Sequence, residues 1–135
     1  MKYPFEKPLP NAQQAWQIIS RQEKQNQQAL ASLCSEIAEF MQQNLGLIDR
    51  KLVRDLSYIS QLAYYDKGML VKSVAYKADS DFVMHFEYEW IIFQGCMGLH
   101  ETGVMQDKVS FSVDKEGYLL FDLTAFETLS TAGEL

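Results

Sequence analysis

The residues best suited by type and spacing to do chemistry are His85, Glu87 and Glu89, in the run Phe82-Val83-Met84-His85-Phe86-Glu87-Tyr88-Glu89-Trp90-Ile91-Ile92-Phe93. Alternate positions of a β-strand leave on one face, so the three side chains stand in a row, neighbours roughly 6.6 Å apart. Imidazole and carboxylate can ligate a metal or exchange protons. One strand at that spacing rarely closes round an ion by itself. A further ligand must come from the next strand, and Asp107 or Asp122 would serve if the register brought either to His85. The plainer reading is preferred: a solvated strand face, with His85 as a weak metal candidate. No metal and no cofactor is expected.

A second constellation is Gly95-Cys96-Met97-Gly98-Leu99-His100-Glu101. A thiol with a histidine four positions on could act as nucleophile and base, oriented by Glu101, or supply two metal ligands. Catalytic pairs are usually assembled by the fold rather than by sequence neighbours. A structural zinc would lack two further ligands. Gly95 and Gly98 more simply permit a tight loop. No phosphate loop, dinucleotide fingerprint, serine elbow or zinc pair is present. Enzymatic chemistry is therefore the less favoured class.

The elements that must position these residues follow from periodicity. In the run from Phe82 every even position is apolar (Phe82, Met84, Phe86, Tyr88, Trp90, Ile92), the mark of a strand with one face buried. Met69 to Lys77 precedes it as a strand, across the polar turn Ala78-Asp79-Ser80-Asp81. Gln94 to Gly103, with three glycines, reads as a loop. Val104 to Val113 is a third strand, with Val109, Phe111 and Val113 on one face. Asp114-Lys115-Glu116-Gly117 is a hairpin turn, and Tyr118 to Leu123 the fourth strand. Thr124 caps a last short helix, Ala125–Leu129.

The first half is helical. Residues 1–10 hold all three prolines and form an extended arm, laid on the body through Tyr3 and Phe5. Asn11 can cap a helix whose apolar positions run from Trp16 to Leu45, closed by Gly46. Its middle, Ser20 to Gln28, has no apolar residue. One long helix is slightly favoured over two helices broken near Lys24–Gln27, since nothing there breaks it. A second helix, capped by Asp49 and ended by Gly68, carries the stripe Leu52, Val53, Leu56, Ile59, Leu62 and Ala63. A short connection at Gly46-Leu47-Ile48 makes the two helices antiparallel neighbours. The expectation is one α+β domain over residues 1–135. Its N-terminal helices, one long or broken and one shorter, pack on a four-stranded antiparallel meander sheet, with a short C-terminal helix. Helices followed by a meander of curved strands resemble, in outline only, the cystatin-like and NTF2-like folds, and such an outline does not fix function.

Composition narrows the function classes. The 135 residues include 47% hydrophobic and 13% aromatic residues, ample for a core. Nothing approaches the roughly 20 apolar residues of a membrane span, and the first residues have no signal-peptide stretch. A soluble, cytoplasmic protein is expected. Two cysteines are too few for a disulfide framework, and Cys34 reads as a buried free thiol. The net charge of −6 is uneven: residues 1–68 hold eight Lys and Arg against seven Asp and Glu, residues 69–135 four against eleven. That disfavours nonspecific nucleic-acid binding, which needs clustered cations.

Two sites remain as candidates. An acidic face of Glu87, Glu89, Asp107, Asp114 and Glu116, with Asp79 and Asp81, would suit a basic protein partner. An aromatic pocket between sheet and helices, lined by Tyr76, Met84, Phe86, Tyr88, Trp90 and Phe111, would take a small molecule; a solid core is the plainer reading of those side chains. The leading expectation is a small acidic module acting through protein–protein contacts, with itself as a homodimer or with a basic partner. The alternative is a small-ligand-binding or enzymatic α+β domain.

Overall fold

The computed structural model describes residues 1–20, 27–54, 56, 59–60, 62–94 and 98–126. The architecture is α+β with an antiparallel sheet. The order is β1 (Lys2–Pro4), α1 (Ala12–Ser20), α2 (Gln27–Gln43), β2 (Tyr64–Tyr65), β3 (Leu70–Ala78), β4 (Asp81–Gln94), β5 (Leu99–Val113) and β6 (Leu119–Asp122). Short 3₁₀ turns lie at Leu45–Leu47, Asp49–Lys51 and Thr124–Phe126.

The sheet has six strands rather than four. β4 is its longest-paired member, running against β5 from Asp81↔Ser112 to Gln94↔Leu99. Its other edge is shared by β3, along Asp81 to Glu87, and by β2, at Trp90 and Ile91. β3 departs from regular register between Val71 and Ser73 and again between Tyr76 and Ala78. Such irregularities bend a strand.

The unforeseen strands are β1 and β2. The start of the proline-rich arm, Lys2–Pro4, is β1, paired with β6. Pro4 is tolerated because β1 lies at the sheet's end, where no second strand among the described residues needs its missing N–H. Phe5, 1% exposed, follows β1 into the core. Its ring meets Phe40 and Phe121 edge-on at 5.8 and 6.0 Å. Gly117 seats this arm: its φ is +84°, and a Cβ there would stand 2.3 Å from that of Ala12.

The helical expectations need correction. α1 and α2 lie side by side, with Ala15 and Ile37 lining one cleft. A single rod would separate these two residues by roughly 33 Å, so residues 12–43 are not one straight helix. The alternative of a break near Lys24–Gln27 falls mostly outside the described residues. The second helix is not formed at Asp49–Lys51 or in the described residues beyond it. Asp49, its expected cap, instead accepts a hydrogen bond from the Tyr65 hydroxyl at 2.7 Å. The stripe is used differently: Leu52 and Leu56 are buried, while Val53, Ile59 and Ala63 pack on the core's margin. Irregular chain can meet a curved sheet more closely there than a straight helix.

At the C-terminus, Thr124–Phe126 is a 3₁₀ turn, and the rest of the expected helix lies outside the described residues. The even face of β4 is buried as its period requires, with Phe82, Met84, Phe86 and Tyr88 each at 1% exposure or less. No helix among the described residues is long and apolar enough to cross a membrane.

Candidate functional site

The period that buries one face of β4 turns the other outward, where Val83 is still buried and Phe93 is exposed. On that face, in chain order, stand Val83, His85, Glu87, Glu89, Ile91 and Phe93. Register sets the neighbours. His85 lies between Ser73 and Lys108, Glu87 between Leu70 and Gln106, Glu89 beside Val104, Ile91 between Tyr64 and Thr102, and Phe93 beside His100. Neither Asp107 nor Asp122 reaches His85: Asp107 pairs with Phe86 on the opposite face and Asp122 with Ser110. Among the described residues no group of three or more His, Cys, Asp or Glu could hold a metal.

This outer face has two characters. Its near half is polar, with Lys77 reaching Ser110 at 2.9 Å and Lys72 paired with Glu87 at 3.0 Å. Its far half is apolar and exposed: Phe93 is 61%, Val104 59%, Leu70 49% and Tyr64 47% accessible. Phe93 also meets the His100 ring edge-on, at 6.0 Å. Glu87 and Glu89 mark the boundary between the halves.

The other acidic residues are elsewhere. Asp114 closes the β5–β6 turn, accepting the backbone N–H groups of Glu116 and Tyr118, both at 2.9 Å. Asp79 and Asp81 sit by the neighbouring β3–β4 turn, which bonds to β5 through Val113 N–H and the Ser80 carbonyl. The expected acidic face is thus two groups, one at the sheet's turns and one at Glu87 and Glu89.

Asp107 belongs to neither. Its parity is that of Val109, Phe111 and Val113, so it points inward. There it takes a two-pronged ion pair from Arg54. The same guanidinium donates to the Ala125 carbonyl at 2.7 Å and lies over the Phe126 ring, while the Arg54 backbone N–H donates to the Tyr88 hydroxyl at 3.3 Å. The Asp107 hydrogen bond and charge hold the guanidinium pKa up, against burial, which lowers it. This group ties the chain after Lys51 and the turn after β6 to the centre of the sheet. It was not foreseen, although the alternation of β5 placed Asp107 on the buried face.

The candidate aromatic pocket divides too. Met84, Phe86, Tyr88 and Phe111 are buried in packed core, Phe111 stacked on Phe82 at 5.6 Å and Tyr88 edge-on to Tyr65 at 5.5 Å. Trp90 packs on Gly103, its partner across the ladder. Tyr76 lines an open groove between α2 and β3, and Phe111 borders a smaller cleft. Cys34 lines that groove as well; burial pushes its thiol pKa up, against the Tyr76 backbone hydrogen bond. Of the second constellation, His100 and Glu101 fall on β5, on opposite faces, and Cys96 lies outside the described residues. No family model, curated protein or solved structure matches the chain.

Proposed function

We propose that the chain is a protein-binding module that works through the uncovered outer face of its sheet. Its partner offers an apolar patch edged by lysine or arginine. One observation carries this reading: Phe93, Val104, Tyr64 and Leu70 stay exposed beside Glu87 and Glu89 on a face that no helix among the described residues covers. Scattered single apolar residues are ordinary on a surface, but a grouped set rimmed by charge is the composition of an interface. The two carboxylates give direction and selectivity more than raw affinity. A second copy is the poorer occupant of this face, because it would bring acid against acid in a chain of net charge −6.

A photo-crosslinking residue at position 93 or 104, compared with one at the exposed Ser32 of α2, tests this in cells. The expected result is a discrete adduct from 93 and 104 alone, lost in the Glu87→Lys/Glu89→Lys double variant. Identical adducts from Ser32, or indifference to the charge reversal, would overturn the reading.

A further inference from the structure

The groove between α2 and β3 is a separate feature with its own cause. α2 flanks the edge of β3: Gln42 accepts the Val71 backbone N–H at 2.8 Å and donates to the Met69 carbonyl at 3.3 Å. Farther along, Cys34 of α2 and Tyr76 of β3 line the same junction. The helix therefore stands in for a missing neighbour strand, one way of blunting a sheet edge. Along this junction several lining side chains are small: Ala31, Ser35 and Ala38 on α2, Ser73 and Ala75 on β3. Helix and strand touch without filling the space along their junction. A groove of about 700 Å³ results, in the size range of small-molecule sites.

Its lining is amphiphilic. Leu30, Cys34, Val74 and Tyr76 give it apolar walls, and among the described residues the only charged lining residues are Lys72 and Lys77. In a chain of net charge −6 a groove with cations alone runs against the background. Lys72 is already neutralised by Glu87. Lys77 has only the neutral hydroxyl of Ser110 as bonded partner, and no carboxylate pairs with it among the described residues. Beyond it lies a smaller cleft that Asp81 and Asp122 also line. The Lys77 ammonium is exposed, so leaving a hydroxyl for a carboxylate gains a charge-assisted bond at small cost.

We infer that this groove binds a small amphiphilic carboxylate of the fatty-acid class, its apolar chain lying along Leu30, Cys34, Val74 and Tyr76 and its head group meeting Lys77. The site stands on observations independent of the outer-face reading and does not need it. Charge complementarity selects the carboxylate, and the narrow small-residue floor selects a thin aliphatic chain.

The probe is dodecanoate, kept below its micelle concentration and titrated into the full chain by calorimetry, with dodecanol as the uncharged control. Two filling variants, Ser35→Trp and Ala75→Trp, replace exposed residues and so leave folding intact, which the melting temperature of the free protein verifies. The expected results are saturable one-to-one binding, a raised melting temperature, and loss of binding in both filling variants. Lys77→Gln should weaken dodecanoate by about tenfold, one charge-assisted contact, and leave dodecanol unchanged. Absence of saturable binding overturns the proposal, as does binding that survives both tryptophans. Equal affinity for acid and alcohol, untouched by Lys77→Gln, overturns the assigned chemistry. So would binding of an acidic apolar peptide in the groove where dodecanoate fails.

Discussion

Trp90 rests directly on Gly103: a Cβ built on the glycine would stand 2.2 Å from Cζ2 and 2.4 Å from Cε2 of the indole. The two residues face one another across the β4–β5 ladder, so a large ring covers the gap that a strand glycine leaves. Gly103→Ala must displace that ring. The clashing atoms lie along the Nε1–Cζ2 edge of the ring, and Trp90 is only half-buried, so the indole swings rather than the strand breaking. The expected cost is about 1 kcal/mol, toward the low end of overpacking changes, with a red shift in tryptophan emission. A Trp90→Leu background should absorb most of that cost, since the clash is then gone. Equal losses in both backgrounds would show that the glycine serves the backbone instead.

The Tyr65 hydroxyl donates to Asp49 at 2.7 Å and accepts the Met69 backbone N–H at 3.3 Å. Burial first, then the hydrogen bond and charge of Asp49, push its pKa up to about 12. The unfolded chain releases that proton near pH 10, so between pH 10 and 12 the native state holds more protons. Stability from this group is complete below pH 10 and is lost as pH rises toward 12. The interval is worth roughly 2–3 kcal/mol. In Tyr65→Phe the ring packing stays and the alkaline loss should be shallower than in the parent, read from urea midpoints at pH 9 and pH 11.5. Parallel curves would contradict the assignment.

Arg54 and Lys72 both make ion pairs, and their surroundings predict different outcomes. The Arg54 and Asp107 side chains are 41% and 11% exposed, those of Lys72 and Glu87 54% and 21%. Removing Arg54 takes the cation from an inward carboxylate, which keeps the Lys108 backbone N–H, and takes the guanidinium donor from the Ala125 carbonyl. Arg54→Ala should cost on the order of 2–4 kcal/mol, and Arg54→Lys should recover only part, since an ammonium cannot reproduce the fork. Lys72→Ala should cost less than about 1 kcal/mol. Thermal melts of the three variants decide it.

Much of this was legible in sequence, and what was not has physical causes. Alternation marked β4 because its inward positions from Phe82 to Ile92 are all apolar, while its outward ones are polar in the middle, at His85, Glu87 and Glu89. Asp107 obeyed the same parity but was masked by its charge, since inward acids are rare without a partner and Arg54 is far off in sequence. Gly98 and Gly103 disguised the start of β5 as loop; Trp90 supplies what Gly103 lacks. The segment after Asp49 misled for the opposite reason. Leu52, Leu56 and Ile59 sit at helical spacing, yet burial of two or three anchors on a curved sheet needs no helix. Leu52→Ala should therefore cost about 2–5 kcal/mol, for a side chain at 0% exposure. Leu62→Ser, at 47% exposure, should stay within about 0.5 kcal/mol. Comparable losses from both would restore the helical stripe.

The outer face makes a prediction about salt that separates a basic partner from a second copy. Glu87 and Glu89 border the exposed Phe93 and Val104. Two copies meeting there repel, and a basic partner is attracted. Raising ionic strength from about 0.1 M to about 1 M shortens the screening length from roughly 10 Å to 3 Å. Self-association, followed by sedimentation, should strengthen with salt, while binding of a partner captured through position 93 should weaken. The Phe93→Thr/Val104→Thr double variant keeps β-forming residues at both exposed positions, so the melting temperature should hold while both associations fall. Association insensitive to those two residues, or a partner whose affinity rises with salt, would remove the outer face from consideration.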